Sequence, residues 1–148
     1  MGLMQRRKGR AFEQRIAREL RLRWPDALVR RASQAERAFN PDVFVEGGPP
    51  LLSSLWLEMH DARKPNAARK LLQAERDSLA KSHHAIDSAH VPVVIWHKLG
   101  ERSIQATMRS WAFAWLAYGE SHPDSQIVVT LDLGSFLRLV EGAIARAS

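Results

Sequence analysis

The sequence predicts an α/β domain in which a central mixed sheet is flanked by helices. Three observations carry this. Phe12, Ile16 and Leu20 recur at four-residue steps, the apolar stripe of an amphipathic helix. Short strand-like runs follow, each too brief for a helix and most bounded by turn residues: 27–32, 41–46, 55–61 and 91–96. Helical segments then alternate with strands, which favours an α/β architecture over an all-β one.

Each element has a local reason. Gly9 to Arg23 reads as the first helix, closed by Trp24-Pro25-Asp26, since the residue before proline is disfavoured in helical conformation. Ala27 to Ala32 is a short strand and Ser33 to Asn40 a polar loop. Pro41 to Glu46 and Leu55 to Asp61 form a strand pair around the turn signal Glu46-Gly47-Gly48-Pro49-Pro50. Pro65 breaks the chain, and Asn66 is a suitable N-cap for a helix from Ala67 to Ser82. Val91 to Trp96 is almost continuously apolar, as expected of a strand covered on both faces, with Pro92 near its start. Arg102 to Met108 is a further strand, Trp111 to Tyr118 an aromatic helix, Ile127 to Leu131 a strand and Ser135 to Ala145 a closing helix. The 148 residues fit one domain, with 100–125 as an insertion or a dimerisation element.

Composition narrows the function classes. No apolar run approaches the roughly 18 residues of a membrane span, and the basic N-terminus has no apolar signal stretch behind it. With no cysteine there is no disulfide framework and no thiolate metal site, which is compatible with a cytoplasmic setting. The net charge is +6, unevenly spread. Residues 1–37 hold 11 Lys/Arg against 4 Asp/Glu, and the remainder 11 against 12, so all the excess lies in the first quarter. Such a segment is the footprint of a polyanion binder; the plainer alternative is a solvated basic helix.

The chemistry concentrates in Asn40-Pro41-Asp42-Val43 and Leu57-Glu58-Met59-His60. Residues two apart on a strand share a face, so Glu58 and His60 point together and Asp42 joins them if the two strands pair. Two carboxylates suit a hard divalent ion such as Mg²⁺, with Mn²⁺ as a substitute, and Mg²⁺ commonly keeps several waters. The Met59 carbonyl is a third candidate ligand.

These segments resemble the PD-(D/E)xK nuclease superfamily, and within it the Holliday junction resolvases of archaeal type and their phage relatives. Lys8-Gly9-Arg10-Ala11-Phe12-Glu13 is similar to that family's first helix and its glutamate. Val29-Arg30-Arg31-Ala32-Ser33 resembles the basic strand and serine loop, and Lys64-Pro65-Asn66 with Lys70 and Gln73 the following helix. The resemblance spans roughly residues 8–98. It implies a restriction-endonuclease-like core and a homodimeric, Mg²⁺-dependent DNA endonuclease acting on four-way junctions or other branched DNA. The implied catalytic set is Glu13, Asp42, Glu58, His60 and Gln73, with Asp42, Glu58 and Met59 on the metal. Arg6, Arg7, Lys8, Arg10, Arg30, Arg31, Ser33, Arg37 and Lys64 are the implied DNA contacts.

One position departs from the pattern: His60 stands where the family has lysine. Three readings are open. His60 replaces the lysine, as a group able to hold or deprotonate water near neutral pH. Lys64 or Lys70 reaches in from the next turn or helix. Or the chain binds DNA without cutting it. Of the other features, His83, His84 and His90 lack a metal-ligand spacing, and Trp111, Phe113, Trp115 and Tyr118 suit packing or a dimer interface better than base stacking.

Overall fold

The computed structural model describes residues 2–32, 40–79, 90–120 and 127–148. Helix α1 (Leu3–Arg23) begins a turn and a half before the predicted start and buries Phe12, Ile16, Ala17 and Leu20. Its last turn carries Arg21 and Arg23, which complement the negative helix terminus, and Trp24 N–H closes it on the Leu20 carbonyl at 2.9 Å. Strand β1 (Leu28–Arg31) pairs antiparallel with β2 (Val43–Glu46). The chain then turns through Gly47 and Gly48, both left-handed (φ 68° and 64°). Gly48 is also pressed on Ala27, where an added Cβ would lie 2.9 Å from the Ala27 Cβ. A one-turn helix α2 (Pro50–Ser53), which the turn signal alone did not foretell, leads into β3 (Leu55–Ala62).

From β3 the chain enters α3 (Ala67–Leu79), capped as predicted: the Asn66 side-chain oxygen accepts from Arg69 N–H at 3.1 Å. Strand β4 (Val91–Lys98) lies parallel to β3, the one parallel pair of the sheet. β5 (Ile104–Arg109), α4 (Ser110–Tyr118), β6 (Val128–Asp132) and α5 (Leu133–Ala147) complete the order, with Asp132 capping α5 through Ser135 N–H at 2.9 Å. The six strands form one sheet in sequential order, β1-β2-β3-β4-β5-β6. The expectation of a mixed sheet flanked by helices therefore holds, and the architecture is consistent with a restriction-endonuclease-like α/β core. Within segment 100–125, β5 is an interior strand between β4 and β6, and α4 follows it directly. β5 is the strand expected over 102–108, and its buried residues Ile104, Ala106 and Met108 alternate toward the core.

The two faces of the sheet are covered differently. One carries the main core: Val43, Val45, Leu55, Leu57, Met59, Val93, Ile95, Ala106 and Met108 meet α1, α2, α4 and α5. Trp111, Phe113 and Trp115 of α4 pack against this core, whereas Tyr118 is exposed. The other face meets α3, where Trp56 packs on Ala74. Arg109 forks onto the Glu75 carboxylate at 2.9 and 3.2 Å, tying α3 to the end of β5. Among the described residues no helix is long and apolar enough to cross a membrane.

Candidate metal centre and basic edge

Asp42 sits where β2 begins, and its backbone is pinned from both sides. Its N–H donates to the Leu57 carbonyl at 3.1 Å, and its own carbonyl accepts from Ala32 N–H at 2.9 Å. Val43 pairs with Leu57, so Asp42 falls opposite Glu58. Residues directly opposite on antiparallel strands project to the same face, and here that is the face under α3. The Asp42 Oδ2 accepts from Met59 N–H at 2.9 Å, which fixes the carboxylate at the rim of the pair.

Glu58 is 5% exposed. Trp56, two residues back and on the same face, donates from Nε1 to Glu58 Oε1 at 2.9 Å. Burial, then the Asp42 charge, push the Glu58 carboxyl up to about 9; the Trp56 hydrogen bond opposes this, a hydrogen bond to Asp42 adds to it, and the Lys70 charge opposes it least. At neutral pH the Glu58 carboxyl is therefore protonated in the folded protein, since burial and the neighbouring Asp42 both disfavour its charge. The Met59 carbonyl lies on the β2-facing edge of β3, as does that of Leu57, because peptide groups two residues apart face the same neighbour.

His60 is half-buried, and its Nε2 accepts from Asn66 N–H at 3.2 Å. Burial, then the Lys70 charge, hold it below its ordinary value despite Asp61, so the ring is neutral at pH 7 and its Nε2 lone pair is occupied by a backbone donor. Lys70, half-buried in the first turn of α3, acts electrostatically on both Glu58 and His60. Lys64 is exposed in the turn between β3 and α3. Gln73 is exposed one turn on from Lys70, while the buried stripe of α3 is Leu71, Ala74 and Ser78.

Glu13 is buried under α1, where Arg31 Nε donates to its Oε2 at 2.8 Å. This is the face that α1 covers, as shown by Phe12 stacking on His97 with ring centroids 6.1 Å apart. Arg30 points to the other face and lies over the Phe44 ring, 4.4 Å from its centroid, with Glu46 at 3.7 Å. Arg7 and Arg10 are exposed on α1; Arg6 and Lys8 belong to the same helix, and their side chains lie outside the described residues. Ser33 and Arg37 also lie outside them.

The structure thus brings Asp42, Glu58 and the Met59 backbone together, sets His60 on the same face of β3 bonded to Asn66, and leaves Glu13 with Arg31 on the α1 side. Trp56 escaped the motif reading, although the Trp56-x-Glu58 spacing places its ring beside the glutamate. A separate ion pair, His97 Nδ1 to Asp61 Oδ1 at 2.9 Å, joins the ends of β4 and β3, and His97 Nε2 contacts the Glu101 carbonyl.

Among the described residues no group of three or more His, Asp or Glu side chains is gathered for a metal ion. The centre offers two carboxylates and a carbonyl, a donor set that suits a hard cation keeping several of its waters. No family model matches the chain, and comparisons with curated proteins and with solved structures likewise returned no match.

Proposed function

We propose that this chain is a Mg²⁺-dependent DNA endonuclease, with Mn²⁺ able to substitute, that hydrolyses phosphodiester bonds in branched DNA in the manner of a Holliday junction resolvase. The observation that carries the reading is the Asp42–Glu58 pair: two carboxyl groups from adjacent strands, hydrogen-bonded to each other on one face of the sheet. The basic first quarter of the chain supports a polyanionic substrate.

Asp42, Glu58 and the Met59 carbonyl would hold the ion. When bound, such an ion polarises a phosphoryl oxygen and lowers the pKa of a coordinated water. Glu58 releases its proton on loading, and Lys70 favours the ionised form. Trp56 keeps Glu58 aimed through its Nε1–H. Lys70 takes the role of the missing motif lysine, as the permanent cation beside the acids. His60, neutral and bonded to Asn66 N–H, braces the first turn of α3. Phosphate contacts from the arginines fix position without reading bases, so cleavage follows DNA shape and binding is strongly salt-dependent. A symmetric junction has two strands to cut, which calls for a homodimer.

A second reading is a DNA-binding protein on the same fold that cuts poorly or not at all, favoured by His60 in the motif position. Cleavage of a four-way junction, forks and linear duplex in Mg²⁺ and in Mn²⁺ separates the two. The endonuclease cuts at least one branched substrate; Asp42→Ala and Glu58→Ala abolish cutting and keep binding. Binding without cleavage in either metal establishes the second reading.

A further inference from the structure

A cleft of about 310 Å³ lies between α1 and the outer edge of the sheet, lined by Gln14, Ala17, Arg18, Arg21, Arg30 and Arg31. Its volume corresponds to roughly ten waters. The helix supplies one wall in a single stripe: residues 14, 17, 18 and 21 are three or four apart and therefore neighbours on the helix surface, with Ala17 as the small residue among them. The strand supplies the other. Arg30 and Arg31 are successive and so project to opposite faces, yet β1 is an edge strand and both side chains reach the rim.

Charge is not balanced inside this cleft. Arg31 is engaged by Glu13, and Arg30 lies near Glu46. Arg21 donates only to the Val29 carbonyl, at 3.0 Å, and no hydrogen bond or ion pair holds Arg18 among the described residues. Two guanidinium charges are therefore left without an acidic partner there, in a concave site lined by no carboxylate among the described residues. Planar guanidinium groups converging from two walls suit a tetrahedral oxyanion, which accepts forked hydrogen bonds from each.

We infer that the α1–β1 cleft is a phosphate seat, in which Arg18 and Arg21, flanked by Arg30 and Arg31, hold one phosphodiester group of a nucleic-acid backbone. The ligand class rests on the nucleic-acid reading above; the anion site itself does not. Arg30 lies two residues along and one strand across from Asp42, roughly 8 Å between backbones. A phosphodiester held there would anchor the backbone on the strand pair that carries Asp42.

The test uses the full chain without divalent metal, so that cleavage does not enter. Inorganic phosphate is titrated while the Arg18 and Arg21 Nε–Hε resonances are followed. Binding of a fluorescein-labelled duplex is then measured across a salt series for wild type, for Arg18→Gln, and for Arg18→Gln with Arg21→Gln. Arg18→Gln removes no hydrogen bond or ion pair among the described residues and so guards against misfolding. A charge-matched control carries Arg102→Gln with Arg138→Gln. The seat predicts that phosphate moves both resonances, that the double variant binds the duplex about tenfold more weakly, and that its log–log salt slope is shallower by about 1. Unmoved resonances overturn the seat, as does an equal loss in the control. If phosphate moves the resonances and wild type binds no DNA, the anion site stands and the nucleic-acid reading falls.

Discussion

Replacing Glu58 by glutamine should leave the metal-free protein at least as stable at neutral pH while removing its response to divalent metal. The Glu58 carboxyl is raised from an ordinary value of 4.5 to about 9 by burial and by Asp42, so it is protonated in the folded state across most of that interval and ionised in the unfolded chain. The folded state thus binds the extra proton, and stability falls as pH rises from the lower value toward the higher. Each pH unit in the interval costs about 1.4 kcal/mol, so the penalty at pH 7 is on the order of 3 kcal/mol. Glutamine is neutral, nearly isosteric, and keeps an oxygen for Trp56 Nε1–H and an N–H for Asp42. Urea unfolding across a pH series, with and without saturating Mg²⁺, measures this. Wild type should lose stability with rising pH in chelator and regain it with Mg²⁺. Glu58→Gln should show neither the slope nor the regain. A wild-type profile flat in pH, or a glutamine variant destabilised like a core defect, refutes the protonated Glu58.

Three other outcomes follow from the same geometry. Lys70→Ala should slow cleavage by a factor of at least ten, whereas His60→Ala should chiefly weaken the first turn of α3, seen as an earlier melt; the reverse ranking in single-turnover rates returns the lysine's role to His60. Trp56→Phe keeps the buried ring and removes the donor, so it should cost about 1 kcal/mol in urea unfolding and weaken the Mg²⁺ response; an unchanged metal titration removes Trp56 from the site. His97 is raised above its ordinary 6.5 mainly by its hydrogen bond to Asp61, with the Glu101 carbonyl adding to this and Arg15 opposing it. Its stabilising effect is present below 6.5 and is lost as pH climbs through the raised folded value, so Asp61→Asn should flatten the stability profile just above 6.5.

Much of this was legible in the chain itself. The α1 stripe, the Asn66 cap, the turn at Gly47-Gly48 and the apolar run from Val91 are local statements, and local chemistry decides them. The opposition of Asp42 and Glu58 was also readable, because a two-residue period and one turn fix which side chains share a face. Less was legible in 100–125, where no local signal showed that β5 would lie inside the sheet: interior placement depends on which strands it pairs with, β4 and β6.

What the sequence by itself determined is the inventory: a basic first quarter, two acids on successive strand-like runs, and a histidine two residues after the second acid. Only the tertiary structure decided how those groups are shared out. Packing α1 and α3 on opposite faces sends Glu13 to Arg31 and leaves Glu58 beneath α3 with Trp56 and Asp42. Burial beneath α3, with Asp42 beside it, pushes the Glu58 carboxyl far above an ordinary glutamate. A side chain's charge state depends on its dielectric surroundings and on distant residues folded against it, and neither is written in local sequence.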